Sequence, residues 1–73
     1  MENAIDKAGI FQMTMTKEQA AEALGVSRPT IDKLIRNDET FPSFGIGKRV
    51  LISTAGLDKW VERNAFERSE IQI

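Results

Sequence analysis

Two residues that break helices, Gly25 and Pro29, stand inside a stretch whose apolar residues recur at helical spacing, AEALGVSRPTIDKLI at residues 21–35. Glycine adopts a positive φ and can close a helix, whereas proline is tolerated in the first turn of the next helix. Ser27, between them, is a residue type that caps helix N-termini. The three residues therefore predict two helices joined by a sharp turn of about three residues, which is the helix-turn-helix arrangement.

The helix before the turn is predicted over residues 17–24. Thr16 and Gln19 match a capping box, in which each side chain accepts a hydrogen bond from the other residue's backbone N–H. After the closing glycine, Val26 is expected to pack back on Ala21 and complete the turn. Local sequence thus predicts both ends of this helix.

The helix after the turn is predicted over residues 28–37 and is amphipathic. Its inward stripe consists of Ile31, Leu34 and Ile35. At about 100° per residue, the opposite face consists of Pro29, Lys33 and Arg36, flanked by Thr30, Asp32 and Asn37. This helix therefore presents a basic face to solvent.

A short strand is predicted at residues 13–16, and a β-hairpin at residues 43–52 around a Gly47-Lys48 turn. The apolar residues at period-2 positions of the hairpin are Phe44, Ile46, Val50 and Ile52. A closing helix is predicted from Ser53 or Thr54 to about residue 63. Its expected inward residues are Leu57, Trp60 and Val61.

The core is therefore predicted to include Ile31, Leu34, Phe44, Leu57, Trp60 and Val61. Gly56, inside the closing helix, is expected to cost about 1 kcal/mol relative to alanine. Beyond Asn64 the sequence leaves three structures open: a continued helix, a frayed end or a further strand. The fold class is α+β, mainly helical, as a small winged helix-turn-helix with a two-stranded wing.

Composition excludes several classes of function. The chain has 73 residues, which corresponds to a single domain. It contains no cysteine and no histidine, so disulfides, Cys/His zinc sites and Ser-His-Asp catalysis are excluded. No apolar run reaches the length of a membrane span, and the N-terminus lacks the pattern of a secretory signal. We expect a cytoplasmic, nucleoid-associated protein without a cofactor.

Charge is distributed unevenly although the formal net charge is only −1. Residues 26–37 contain three basic residues and one acidic residue, a local charge of +2. Residues 45–52 add two basic residues and no acid. We therefore expect a basic face and an acidic back, a distribution that suits a nucleic-acid partner.

The candidate function is DNA binding, with the second helix in the major groove and the hairpin as a wing. The candidate residues on the recognition helix are Ser27, Arg28, Pro29, Thr30, Lys33 and Arg36, and those on the wing are Lys48 and Arg49. Arg28, Thr30 and Lys33 suit base edges or phosphates, while Arg36 suits the backbone. Ser27 with the helix N-terminus suits a phosphate, and the wing suits adjacent phosphates or the minor groove.

Each piece also has an ordinary explanation. Lys33 and Arg36 could form a solvated helix face, and Gly47-Lys48-Arg49 a plain charged turn. Asp32 and Pro29 on the exposed face count against DNA binding. A carboxylate near phosphates repels them unless it accepts a hydrogen bond from a cytosine N4. An enzyme fits poorly, since no phosphate-binding glycine motif occurs. Of the paired carboxylates, Asp38-Glu39 and Glu18/Glu22, the latter lie at i,i+4 on a helix surface with no visible pocket.

The motifs together resemble the excisionase-type DNA-binding domain family, whose members are relatives of the DNA-binding half of MerR-like regulators. The resemblance covers residues 15–61, MTKEQAAEALGVSRPTIDKLI followed by FPSFGIGKRVLISTAGLDKWV. It implies a winged helix fold and sequence-specific binding of double-stranded DNA. It also implies a recombination directionality factor that assists an integrase, or a small phage-type transcription regulator. Asp32 departs from the family, where an aromatic or basic residue is usual.

These considerations predict a lead-in at residues 1–12, a winged helix-turn-helix domain at residues 13–64 and a C-terminal tail at residues 65–73. The expected partners are double-stranded DNA, a tyrosine integrase and other copies of the chain on adjacent sites. No membrane and no small-molecule ligand are expected. One alternative remains, a protein-interaction module with an apolar patch around Phe66, Ile71 and Ile73.

Overall fold

A computed structural model describes residues 12–72 and has six elements. They are β1 (Thr14–Met15), α1 (Lys17–Leu24), α2 (Arg28–Asn37), β2 (Ser43–Ile46), β3 (Arg49–Ser53) and α3 (Thr54–Glu67). Three helices and one three-stranded antiparallel sheet confirm the predicted α+β class and the winged helix-turn-helix architecture. No helix among the described residues is long and apolar enough to cross a membrane.

The helix-turn-helix forms as local sequence predicts. Thr16 and Gln19 make both bonds of the capping box, at 3.1 Å and 2.9 Å. Gly25 ends α1 in the left-handed region with φ 73°. The turn is closed by a backbone hydrogen bond of 2.9 Å from Val26 N–H to the Ala21 carbonyl, while the Val26 side chain stays 39% exposed.

Ser27 caps α2, and Pro29 lies in its first turn. The Ser27 hydroxyl oxygen accepts from the backbone N–H of Thr30 at 3.4 Å, and the two hydroxyl groups lie 3.0 Å apart. α1 and α2 pack against each other across the turn. The helix bounds, the caps and the turn therefore agree with the predicted ones.

The sheet has the strand order β1-β3-β2, which confirms the predicted short strand and hairpin. Residue 14 pairs with residue 53, and residue 15 with residue 52. Ser43 pairs with Ile52, and Gly45 with Val50, so these four residues share one face. Ile52 is fully buried on that face. The core therefore lies between this face of the sheet and the helices.

The register places Phe44 and Ile46 on the opposite face of the sheet from Ile52, because successive side chains alternate between faces. Phe44 is 42% exposed and Ile46 is 59% exposed. The prediction of Phe44 as a core residue was wrong. A two-residue turn pairs position 44 with Leu51, so the period-2 apolar set is divided between the two faces.

Phe41 supplies the core aromatic that the sequence did not identify. It is 4% exposed and meets Trp60 edge to face, with ring centroids 5.1 Å apart and planes at 89°. The buried apolar core consists of Ala20, Ala21, Ile31, Leu34, Phe41, Ile52, Leu57 and Trp60. Ile31, Leu34, Leu57 and Trp60 are thus confirmed as core.

α3 continues past the predicted end near residue 63 and stops at Glu67, where Arg68 adopts φ 54°. Ser53 is the N-cap, since its hydroxyl accepts from Gly56 N–H at 3.0 Å. Val61 is 40% exposed, so its prediction as a core residue was wrong. Val61 lies about 40° around the helix from Leu57 but about 100° from Trp60, so it falls at the margin of the buried face. All of the predicted lead-in except residue 12, and Ile73 in the tail, lie outside the described residues.

Candidate nucleic-acid interface

The outer face of α2 is exposed and basic. Ile31 and Leu34 are buried on the inner face, which turns Pro29, Lys33 and Arg36 outward. Within residues 12–72, neither Lys33 nor Arg36 makes an ion pair. Their charges are therefore available to an anionic partner.

The N-terminal turn of α2 adds polar groups beside this face. Ser27 is exposed, and Thr30 is partly buried. Their hydroxyl groups hydrogen-bond each other, and either oxygen can be the donor. Backbone N–H groups at a helix N-terminus favour an anion such as phosphate. The structure thus places the two predicted hydroxyl residues together at the start of α2.

Four charged residues form an ion-pair network between α1 and α2, hereafter the α1–α2 network: Lys17, Glu18, Arg28 and Asp32. Lys17 Nζ lies 3.0 Å from Asp32 Oδ1. Arg28 Nη1 donates to Glu18, and Arg28 Nε lies 3.9 Å from Asp32 Oδ2. Sequence reasoning missed this network. The i,i+4 spacing of Arg28 and Asp32 within α2 indicates one of its pairs, but no spacing within either helix shows which residues meet across the turn.

The network gives Asp32, the acidic residue of α2, partners within the same chain. The hydrogen bond from Lys17 is the main cause that lowers the pKa of Asp32, and the charges of Arg28 and Arg36 lower it further. Asp32 is thereby ionised and paired on the flank that faces α1. Its charge is offset by cations of the same chain, so its position conflicts less with DNA binding than the sequence indicates.

The wing carries the second cationic cluster. Gly47 adopts φ 59° in the two-residue turn, Lys48 follows it there, and Arg49 begins β3 opposite Ile46. Lys48 and Arg49 are exposed, and neither makes an ion pair within the described part of the chain. Ile46 and Phe44 give the same end of the hairpin an exposed apolar surface.

The structure therefore groups the predicted site residues in four places, one of which is the start of α2 with the hydroxyl groups of Ser27 and Thr30. Lys33 and Arg36 share the outer face of α2, and Lys48 and Arg49 share the tip of the wing. Arg28, predicted to reach bases or phosphates, is instead held by acidic residues of the α1–α2 network.

A helix-turn-helix with an exposed cationic second helix and a basic hairpin wing defines the winged helix-turn-helix class of DNA-binding domains. A family model described as a helix-turn-helix domain matches residues 14–65, more than two thirds of the chain. The chain belongs to this family, which comprises excisionase-like DNA-binding domains and is typically non-enzymatic. No curated protein and no solved structure matches the chain significantly. Membership in the family implies binding of double-stranded DNA.

Proposed function

We propose that the chain binds double-stranded DNA sequence-specifically, with α2 in the major groove. The observation that carries this proposal is the outer face of α2. It presents two exposed cations, Lys33 and Arg36, that make no ion pair within residues 12–72, while the neighbouring acid Asp32 is paired with Lys17. A helix of this kind fits the width of the major groove, which is about 12 Å.

The residues of α2 have different roles in this proposal. Lys33 lies one turn into the helix and reaches a guanine edge or a phosphate. Thr30 contacts a base edge or a thymine methyl group, and Pro29 lies between the helix and the groove wall. Ser27 and the N-terminal N–H groups hold a phosphate, while Arg36 contacts the backbone further along.

The wing contacts the duplex beside the recognition helix. Lys48 and Arg49 neutralise neighbouring phosphates or enter the minor groove. Lys48 lies in the turn of the hairpin, Arg49 follows it as the first residue of β3, and both residues are exposed. These contacts are expected to fix the orientation of α2 without reading sequence.

Binding assays with matched variants test the site. Lys33→Ala is expected to cost about 1–3 kcal/mol on the preferred duplex, because a base contact is lost. Arg49→Ala is expected to weaken binding to all duplexes and to lower the slope of log K against log salt by about 1. Lys59→Ala is the control, since Lys59 is an exposed cation on α3 without an ion pair in residues 12–72. Fluorescence anisotropy over a salt series measures both quantities.

Two results would contradict the assignment. If Lys33→Ala and Arg49→Ala bind every duplex as tightly as the wild type, these residues do not form the interface. If Lys59→Ala weakens binding as much as Arg49→Ala, the attraction depends on total charge rather than on the wing.

The biological role that we propose is that of an excisionase, a recombination directionality factor of a phage or other mobile element. Family membership among excisionase-like domains supports it. A single small module reads few base pairs, so useful specificity requires further copies on adjacent sites or a tyrosine integrase bound alongside. A small phage-type transcription regulator has the same DNA-binding chemistry. An excision reaction that the integrase completes only with this chain present distinguishes the two roles.

A protein partner has specific support in the C-terminal part of the chain. Phe66 is 89% exposed near the end of α3, and Ile71 is 36% exposed in the tail. Exposed aromatic residues are enriched in protein interfaces. We therefore retain the protein-interaction module as a second candidate function. A chain that binds no duplex but retains a protein partner sensitive to Phe66→Ser would favour this candidate.

A further inference from the structure

Arg28 is the only predicted site residue whose cation is occupied by acids of the same chain within residues 12–72. Its Nη1 donates to a Glu18 carboxylate oxygen, and its Nε lies 3.9 Å from Asp32 Oδ2. Glu18 stands in the first turn of α1 and Arg28 at the start of α2. The guanidinium therefore has carboxylates on two sides while it stands at the end of α2 proposed to approach DNA.

This contact lies on the surface and is exchangeable. The side chain of Arg28 is 45% exposed and that of Glu18 is 68% exposed. Exposed ion pairs contribute little to stability, because water competes for both charges. Carboxylate and phosphate both offer oxygen pairs that fit the guanidinium fork. A DNA phosphate is therefore chemically equivalent to the Glu18 carboxylate as an acceptor for the Arg28 guanidinium.

We propose that Glu18 is an internal competitor for Arg28: its carboxylate holds the guanidinium in the free protein, and a DNA phosphate takes its place in the complex. This inference rests on the proposed function, because it requires α2 to bind DNA. Displacement leaves the Glu18 carboxylate unpaired in the negative field of the duplex, which lowers affinity. Asp32 retains Lys17 as a partner at 3.0 Å, so the rest of the α1–α2 network does not depend on Glu18.

The chain offers a matched control for this role. Glu22 lies one turn after Glu18 on α1, is exposed, and makes no ion pair in the described part of the chain. Glu18→Gln and Glu22→Gln remove the same charge from neighbouring positions. Arg28→Ala and the double variant Glu18→Gln/Arg28→Ala complete the set. Thermal unfolding followed by circular dichroism verifies that each variant folds.

Affinity for one duplex is then measured over a salt series. Glu18→Gln is expected to bind about two- to fivefold more tightly than the wild type, the equivalent of one exposed ion pair. Its salt slope should steepen by up to about 1, because Arg28 gains a phosphate without leaving an unpaired acid. Glu22→Gln should change affinity less, since screening acts over about 8 Å at 0.15 M salt. In the Arg28→Ala background, Glu18→Gln should increase the affinity for the duplex by no more than Glu22→Gln does in the wild type.

Three outcomes overturn the inference. A gain for Glu18→Gln that only equals that of Glu22→Gln, or that persists without Arg28, shows general charge repulsion. Unchanged affinity of Glu18→Gln shows that Arg28 remains with its own chain in the complex. Each of these three results leaves the proposed function intact. A wild-type chain that binds no duplex would overturn both the proposed function and this inference.

Discussion

Gly56 has no side chain, which allows α3 to pack closely against Pro42 in the loop before β2. A Cβ built at this position would lie 2.7 Å from Cβ of Pro42 and 3.1 Å from Oγ of Ser53, the N-cap of α3. The proline carbon belongs to a rigid ring and cannot rotate away. Propensity alone predicts that alanine would stabilise the helix here by about 1 kcal/mol. The contact with the loop before β2 reverses that expectation.

Gly56→Ala is therefore expected to lower the free energy of unfolding by about 1–3 kcal/mol, as overpacking does. Urea unfolding followed by circular dichroism measures the change. The control is the difference in the free energy of unfolding between Val61→Ala and Val61→Gly. Because Val61 is an exposed position of α3, this difference measures the helix propensity of alanine relative to glycine alone. A more stable Gly56→Ala variant would show that the loop yields to the added methyl group.

The environment of each residue in the candidate site also depends on individual contacts, and the sequence predicts these only in part. Lys33 and Arg36 could be placed on an exposed face because Ile31 and Leu34 fix the inner face of the same helix. The pairing of Arg28 with Glu18 could not be predicted. It depends on how α1 crosses α2, which packing sets and neither helix encodes alone.

At the scale of elements, the helix bounds were predicted because they depend on residues a few positions apart. The buried and exposed faces of the hairpin were not, because they depend on how the strands pair and pack. Capping side chains and a left-handed glycine act within a few residues, so the bounds of α1 and α2 follow from sequence. The faces of the hairpin depend on its register and on how far it extends beyond the core. Phe44 and Ile52 are both apolar, so hydrophobicity alone does not indicate which of the two is buried.

The two caps of the helix-turn-helix are expected to differ in strength. Thr16→Ala removes one of the two bonds of a capping box, whose distances are 3.1 Å and 2.9 Å. Ser27→Ala removes a longer cap bond of 3.4 Å to Thr30 N–H and an exposed 3.0 Å hydrogen bond between the two hydroxyl groups, for which water substitutes. Both lower the free energy of unfolding, within a range of about 0.5–2 kcal/mol, and Thr16→Ala lowers it more.

Chemical unfolding of the two alanine variants gives this comparison directly. Substitution of the same positions by Asp is the control, because Asp restores an acceptor at the N-cap. An equal loss for both alanine variants would show that the shorter cap bond of Thr16 contributes no more than the longer cap bond of Ser27.

At the scale of the whole molecule, Asp38 connects α2 to the chain that follows it. It is the C-cap residue of α2, and its Oδ1 accepts from Thr40 N–H at 2.9 Å and from the Thr40 hydroxyl at 2.5 Å. The hydroxyl bond is the main cause that lowers the pKa of Asp38, and the charge of Arg63 on α3 lowers it further. The indole of Trp60 acts in the same direction, although its N–H makes no hydrogen bond of ordinary geometry to another of the residues 12–72.

A carboxyl whose pKa is lower in the folded chain stabilises the fold above its ordinary pKa, near 3.8 for Asp38 and Asp32. That contribution disappears as the pH falls through the lower, folded value. The melting temperature is therefore expected to stay level from about pH 7 to pH 5 and to fall below about pH 4. Asp38→Asn should be less stable at neutral pH and should lose less on acidification.

Thermal unfolding over a pH series tests this expectation. Asp58→Asn is the matched control, since Asp58 makes no ion pair or side-chain hydrogen bond within residues 12–72 and is exposed. An acid-induced loss of the same size in the wild type and in Asp38→Asn would show that other groups control acid unfolding.

The edge-to-face contact of Phe41 and Trp60 gives the chain a single optical reporter. The sequence contains one tryptophan and no tyrosine, so near-ultraviolet emission comes from this indole, which is 7% exposed. Unfolding moves the indole from the core into water and shifts its emission to longer wavelength. The proposed interface on α2 and the wing does not include this residue. Its emission therefore reports whether a variant that fails to bind DNA is still folded, without a label on the protein.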